Sequence, residues 1–152
     1  MDRIDELSST LPTSWRYTAE GGANLVLSYV GPQHALFSRK ILRLRKKKLG
    51  VTPASPSARD GGDRWAEEVM APLLGREFVL RSTMVELPRD WVEKMREMLE
   101  EEGVRPLERK KEDELDEGAT HAALVEDLVH GEGVLAIEIK VRSAVCCMQR
   151  SR

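Results

Sequence analysis

Glu20-Gly21-Gly22-Ala23-Asn24-Leu25-Val26-Leu27-Ser28-Tyr29-Val30 is followed by Gly31-Pro32 and then by Lys40-Ile41-Leu42-Arg43-Leu44-Arg45. The run reads as a glycine turn, an apolar strand, a break and a strand that alternates cations with aliphatic residues. Paired glycines permit φ > 0 and a tight reversal. Asn24 to Val30 is rich in β-branched and aromatic residues, as a strand requires. Upstream, Trp15 to Ala19 alternates large and small side chains and supplies a strand before the turn. Three such strands pair most simply as an antiparallel meander. A glycine turn can offer backbone N–H groups to a phosphate, and an arginine fork can donate two parallel hydrogen bonds to one. Lys40 and Arg43 point to opposite faces of their strand, so only one can face a ligand, and Arg45 shares the face of Arg43.

Outward from this stretch the chain changes character. Residues 46–63 begin Lys46-Lys47-Lys48 and continue in Pro, Ser, Ala and Gly, a composition that predicts a flexible insertion. Asp63 can cap a helix that starts near Arg64, carries Trp65, Val69, Met70, Leu73 and Leu74 on one face, and stops at Gly75. Phe78 to Leu87 reads as a strand. Pro88 opens a second helix, in which Trp91, Val92, Met95, Met98 and Leu99 recur at helical spacing up to Gly103. Residues 104–118 read as a charged loop in which Arg105 and Arg109 are solvated. Ala122 to Val129 and Val134 to Lys140 read as a hairpin about Gly131-Glu132-Gly133. The expectation is an α+β domain: an antiparallel sheet with about two packed helices.

Composition narrows the function classes. The chain has 152 residues, 33% charged and 41% hydrophobic, with a formal net charge of -2 and only 5% aromatic residues. That balance argues against nucleic-acid binding, which calls for a basic face and stacking rings. No apolar run approaches the roughly 18 residues that a membrane span needs. The N-terminus is acidic and lacks a signal-peptide core, so an intracellular protein, nuclear or cytoplasmic, is expected. Cys146 and Cys147 are adjacent and have no third cysteine to pair with, and His34, His121 and His130 are scattered. Neither a disulfide framework nor a metal set follows from them. Glu138 and Lys140 share one face of a strand, and a surface ion pair is the commoner outcome of that pattern.

Protein kinases place a glycine-rich loop between their first strands and a lysine on the third. The kinase motif Val-Ala-Ile-Lys is absent here. Six separate stretches do resemble another kinase family in collinear order. They are 15–29, with Glu-Gly-Gly-Ala-Asn-Leu-Val-Leu-Ser-Tyr; Lys-Ile-Leu-Arg-Leu-Arg-Lys at 40–46; and Val-Met-Ala-Pro-Leu-Leu-Gly at 69–75. Val-Glu-Leu-Pro-Arg-Asp-Trp at 85–91, Arg-Pro-Leu-Glu-Arg at 105–109 and Ile-Glu-Ile-Lys at 137–140 complete the set. Together they resemble the N-terminal lobe of inositol-pentakisphosphate 2-kinases.

The resemblance implies a kinase-like N-lobe and transfer of the ATP γ-phosphate to the 2-hydroxyl of inositol 1,3,4,5,6-pentakisphosphate, giving the hexakisphosphate. It implies that Glu20, Gly21, Gly22, Ala23 and Asn24 form the nucleotide loop and that Arg43 holds ATP phosphates. Val125, Glu126 and Asp127 would stand at a hinge beside adenine, with Glu138 on the nucleotide side. Arg109 and Lys140 would contact the inositide. ATP with Mg2+ is the implied cofactor, and a monomer binding ATP and inositol pentakisphosphate, without nucleic acid or membrane, is the implied assembly. Two departures stand out. Ala19 replaces the first glycine of the family loop, and the family's Glu-x-Lys-Pro-Lys reads Glu138-Ile139-Lys140-Val141-Arg142. Residues 1–140 are therefore read as the lobe and 141–152 as a non-family tail. The family's C-terminal lobe, with its catalytic and magnesium-binding aspartates and its structural zinc site, has no counterpart, so residues 1–152 alone are expected to be inactive.

Overall fold

The structure is a computed structural model that describes residues 7–50 and 66–129, with residues 133 and 135. Its centre is an antiparallel sheet. β1 (Trp15–Glu20), β2 (Asn24–Tyr29) and β3 (Lys40–Lys48) form the expected meander. A π-helical turn, Ala66–Met70, runs into the short helix α1 (Ala71–Leu74), and β4 (Ser82–Glu86) follows. Next come α2 (Arg89–Glu101), α3 (Leu107–Glu112), β5 (Asp113–Leu115) and β6 (His121–Glu126). The strand order is β1-β2-β3-β6-β4, with β5 paired to the far end of β3. The protein is α+β.

The period of two in β2 and β3 decides which face is buried. Leu25 and Leu27 of β2 and Leu42 and Leu44 of β3 point inward, where Val85, Ala122 and Leu124 join them. α2 closes this face with Trp91, Val92, Met95 and Leu99, which fall on one stripe of the helix. Burying each such side chain contributes about 1.5–3 kcal/mol. Pro88 precedes the first turn of α2 and accepts from the Trp91 and Val92 amides, and Gly103 leaves the helix at φ 62°. Both indole N–H groups of the core end on one residue: Trp15 donates to Thr10 Oγ1 at 3.1 Å and Trp91 to the Thr10 carbonyl at 3.0 Å. Buried indoles need such partners.

Several expectations need correction. β3 continues through Lys48, because Lys46 to Lys48 pair with Leu115 to Asp113, so the basic run is strand and not loop. Residues 104–118 likewise hold α3 and β5. The strand expected from Phe78 is shorter: Arg76–Phe78 is a 3-10 turn entered from Gly75 at φ 99°, and Phe78 is exposed. α1 does not present a buried apolar face, since Leu73 is 74% exposed and only Ala71 of the helix is buried. Helical spacing marks a stripe but cannot show what covers it. Trp65, the expected tail and the second half of the expected hairpin, apart from Leu135, which is exposed and outside any strand, lie outside the described residues. Among the described residues no helix is long and apolar enough to cross a membrane.

Candidate functional site

The sheet face opposite α2 carries Asn24 and Val26 from β2, Ile41, Arg43 and Arg45 from β3, and Ala123 and Val125 from β6. Register sets Val26, Arg43 and Ala123 side by side. Arg43 is exposed between these two short side chains, so its guanidinium stands clear of the sheet. With its amide oriented to satisfy its neighbours, Asn24 accepts from Arg43 Nη2 at 3.3 Å and donates to the Ala23 carbonyl at 3.2 Å. That bridge ties the cation to the turn between β1 and β2.

The turn itself is held lightly. The Gly21 amide donates to the Asn24 carbonyl at 2.9 Å, and the Lys46 amide to the Ala23 carbonyl at 2.9 Å. Among the described residues the N–H groups of Gly22 and Ala23 have no hydrogen-bond partner. Neither Gly21 nor Gly22 uses the positive φ that glycine allows. A Cβ added to either would meet nothing within 4 Å. The fold thus has no steric or conformational need for glycine at these positions. What the pair provides is open backbone beside a cation, the surface that a phosphate can approach.

Behind the turn lies a feature that the sequence reading missed. The β1–β2 register shifts between Tyr17 and Ala19, and Thr18 Oγ1 pairs there with Ser28 Oγ at 2.8 Å. A bulge of one residue reverses which side chains face inward. Trp15 and Tyr17 face the core, but after the bulge Glu20, opposite Leu25, faces it too. Its carboxylate accepts from Lys46 Nζ at 2.9 Å and from Arg105 Nη2 at 2.8 Å. The same two cations bind Asp113 at 2.9 Å and 2.8 Å. The side chains of Glu20 and Lys46 are 2% and 1% exposed. Lys46 and Arg105, expected to be solvated, are therefore buried in an alternating ring of two cations and two carboxylates. The clue was parity, because Lys46 shares the inward face of Leu42 and Leu44.

Burial pushes the Glu20 carboxyl up, but hydrogen bonds and charge from Arg105 and Lys46 prevail and hold it below the usual carboxylate value. Burial pushes Arg105 down, and Glu20 and Asp113 more than reverse this. The neighbouring Tyr17 phenol is raised by burial first and by the Glu20 charge second.

The family model for inositol-pentakisphosphate 2-kinase matches residues 17–151, past the last motif at Lys140. The chain belongs to the inositol-pentakisphosphate 2-kinase family. Curated relatives in two strains of Cryptococcus neoformans var. neoformans serotype D, each named inositol-pentakisphosphate 2-kinase, are 32% identical over 139 residues. The alignment takes in 89% of this chain and 33% of each relative, so the chain spans about a third of their length.

The other family-implied residues fall in separate places. Val125 and Glu126 end β6 next to Lys40 and Asp127 follows them, at the opposite end of β3 from the glycine turn. Lys40 to Arg45 covers about 17 Å of strand, and Arg43 lies between the two ends. Val125 is buried, Glu126 pairs with Lys40 at 3.4 Å, and the Asp127 amide donates to the Arg39 carbonyl at 2.9 Å. Arg109 sits on α3 in a part-exposed pair with Glu112 at 3.8 Å, and its charge reaches Tyr17. It makes no described contact with Arg43. Glu138 and Lys140 lie outside the described residues. Among the described residues no group of three or more His, Cys, Asp or Glu can hold a metal ion.

Proposed function

We propose that this chain forms the kinase-like N-lobe of an inositol-pentakisphosphate 2-kinase and binds the triphosphate of ATP across its open sheet face. The observation that carries the reading is Arg43 held beside an open glycine turn by Asn24. The Gly22 and Ala23 amides and the Arg43 guanidinium would take phosphate oxygens. The end of β6, about 17 Å along β3, would take the base. Phosphoryl transfer depends on positioning and charge neutralisation more than on covalent chemistry, and this face supplies both.

The reaction of the whole protein would move the γ-phosphate of ATP to the 2-hydroxyl of inositol 1,3,4,5,6-pentakisphosphate. Arg109, Glu138 and Lys140 would serve the inositide and the nucleotide as the family resemblance implies. Magnesium would accompany ATP and neutralise phosphate charge. The resemblance assigns the catalytic and magnesium-binding aspartates to the family's C-terminal lobe, so residues 1–152 alone are expected to bind nucleotide without turnover. The test is to incubate purified 1–152 with ATP, magnesium and inositol pentakisphosphate, and to follow ATP binding calorimetrically and product by chromatography. ATP binding without hexakisphosphate is the expected result. Turnover near that of a full-length relative contradicts the inactivity of the lobe, and absence of ATP binding contradicts the site.

A further inference from the structure

Glu20, Lys46, Arg105 and Asp113 form a buried ring beside the apolar core. Replacing a buried ion pair by well-packed hydrophobic side chains is commonly neutral or stabilising. Stability alone therefore gives no reason for it. Its position does. Glu20 is the residue before Gly21, and Lys46 donates its amide to Ala23 and follows Arg45. The ring thus grips Glu20 before the turn and Lys46 beside it and anchors them to Arg105 and Asp113, which come from the segment after α2. At Glu20, Oε2 carries both cations, while Oε1 is buried and has no hydrogen-bond partner within 3.5 Å among the described residues.

We propose that these four side chains are positioning residues for a nucleotide triphosphate: they fix the orientation of the glycine turn over Arg43. This inference rests on the nucleotide reading of that face. An apolar contact tolerates sliding, but a carboxylate shared by two cations sets both distance and direction. Besides the ring, the described residues hold the turn by one backbone hydrogen bond across it, one from the Lys46 amide, and the Asn24 amide between Arg43 and the Ala23 carbonyl, and its glycines touch no neighbour within 4 Å of where a Cβ would lie. Without the ring the turn would sample orientations in which the Gly22 and Ala23 amides point away from Arg43. Affinity for a phosphate ligand then falls in proportion to the competent fraction.

The experiment uses residues 1–152 and ATP. The charge-neutral double variant Glu20→Gln with Lys46→Met opens the ring without leaving a net buried charge. Glu20→Asp, which keeps the charge and shortens its reach, carries the test if the double variant does not fold. Leu99→Ala loosens the core against α2 without touching the turn. Backbone order parameters for residues 21–24 and the ATP dissociation constant are measured well below each melting transition. In the double variant the turn is expected to drop from about 0.85 to below about 0.6 in order parameter. Its dissociation constant is expected to rise about tenfold, as for a competent fraction near one tenth. Glu20→Asp should move both quantities in the same direction by less. Leu99→Ala should lower the melting temperature and leave both unchanged. Unchanged turn order and affinity in the ring variants overturn the proposal, as does an equal loss of affinity in Leu99→Ala. A wild-type chain that binds no ATP overturns the nucleotide reading and this proposal together. That case is recognised because Arg43→Ala is then silent as well.

Discussion

Arg105 Nη2 donates to Glu20 Oε2 at 2.8 Å, across 85 residues of sequence. The contact joins the residue before the glycine turn to the residue before Pro106, and Asp113 and Lys46 complete it. It depends on a bulge, since without the shift between Tyr17 and Ala19 the Glu20 carboxylate would face the open side of the sheet.

Breaking the ring on one side strands a buried charge. Asp113→Ala is expected to destabilise the chain by about 3–5 kcal/mol, read from the urea midpoint. Lys47→Ala removes the exposed pair with Glu114 at 3.0 Å and should cost no more than about 1 kcal/mol. Equal losses would show that the ring is no more than a surface network.

Acid should open the ring. The Glu20 carboxyl is held below its usual value, so the folded state binds its proton less readily than the unfolded chain does. Its contribution is complete above the ordinary glutamate value of about 4.3 and is lost as pH falls through the folded value. The urea midpoint should therefore drop on acidification below about pH 4.3, and Glu20→Gln should flatten that drop. Tyr17 acts at the other limit. Its phenol is raised, so its contribution is present below about pH 10 and is lost as pH rises through the folded value. Tyr17→Phe should remove that alkaline loss.

Substitution in the glycine turn tests folding and the proposed phosphate binding separately. Gly22→Ala meets no neighbour and needs no positive φ. Its stability should be unchanged or raised by about 0.4–1 kcal/mol through the unfolded state. ATP affinity should fall, because the new methyl would occupy the approach proposed for the phosphate. Loss of stability with intact affinity would assign the glycines to the fold.

The meander and α2 were legible because each follows a clean period: two in Leu25, Leu27, Leu42 and Leu44, and helical in Trp91, Val92, Met95 and Leu99. Parity also put Lys40 and Arg43 on opposite faces of β3, but it left open which of the two faces a ligand, and Arg43 was singled out only by the family resemblance. Lys46 was not legible. A lysine within Lys46-Lys47-Lys48 reads as solvated unless its parity with Leu44 is carried forward, and its burial depends on Asp113, 67 residues away. Arg105 was hidden likewise, because the segment around it is too charged to suggest α3 and β5. The inward turn of Glu20 needs the bulge, which no residue type at Thr18 announces. The exposure of Leu73 and Phe78 depends on what stands opposite them, and periodicity carries no such information.

The proposed function requires that Arg43, and not Lys40, face the nucleotide. The most direct measurement is calorimetric titration of ATP into residues 1–152, into Arg43→Ala and into Lys40→Ala, at matched salt. Arg43 is exposed and Lys40 is paired with Glu126 on the other face, so neither change should shift stability by more than about 0.5 kcal/mol. The expected result is a loss of about tenfold or more in affinity for Arg43→Ala, as for one charge-assisted hydrogen bond, with Lys40→Ala binding as the parent does. Equal affinity in the parent and Arg43→Ala, or a loss confined to Lys40→Ala, would contradict the account.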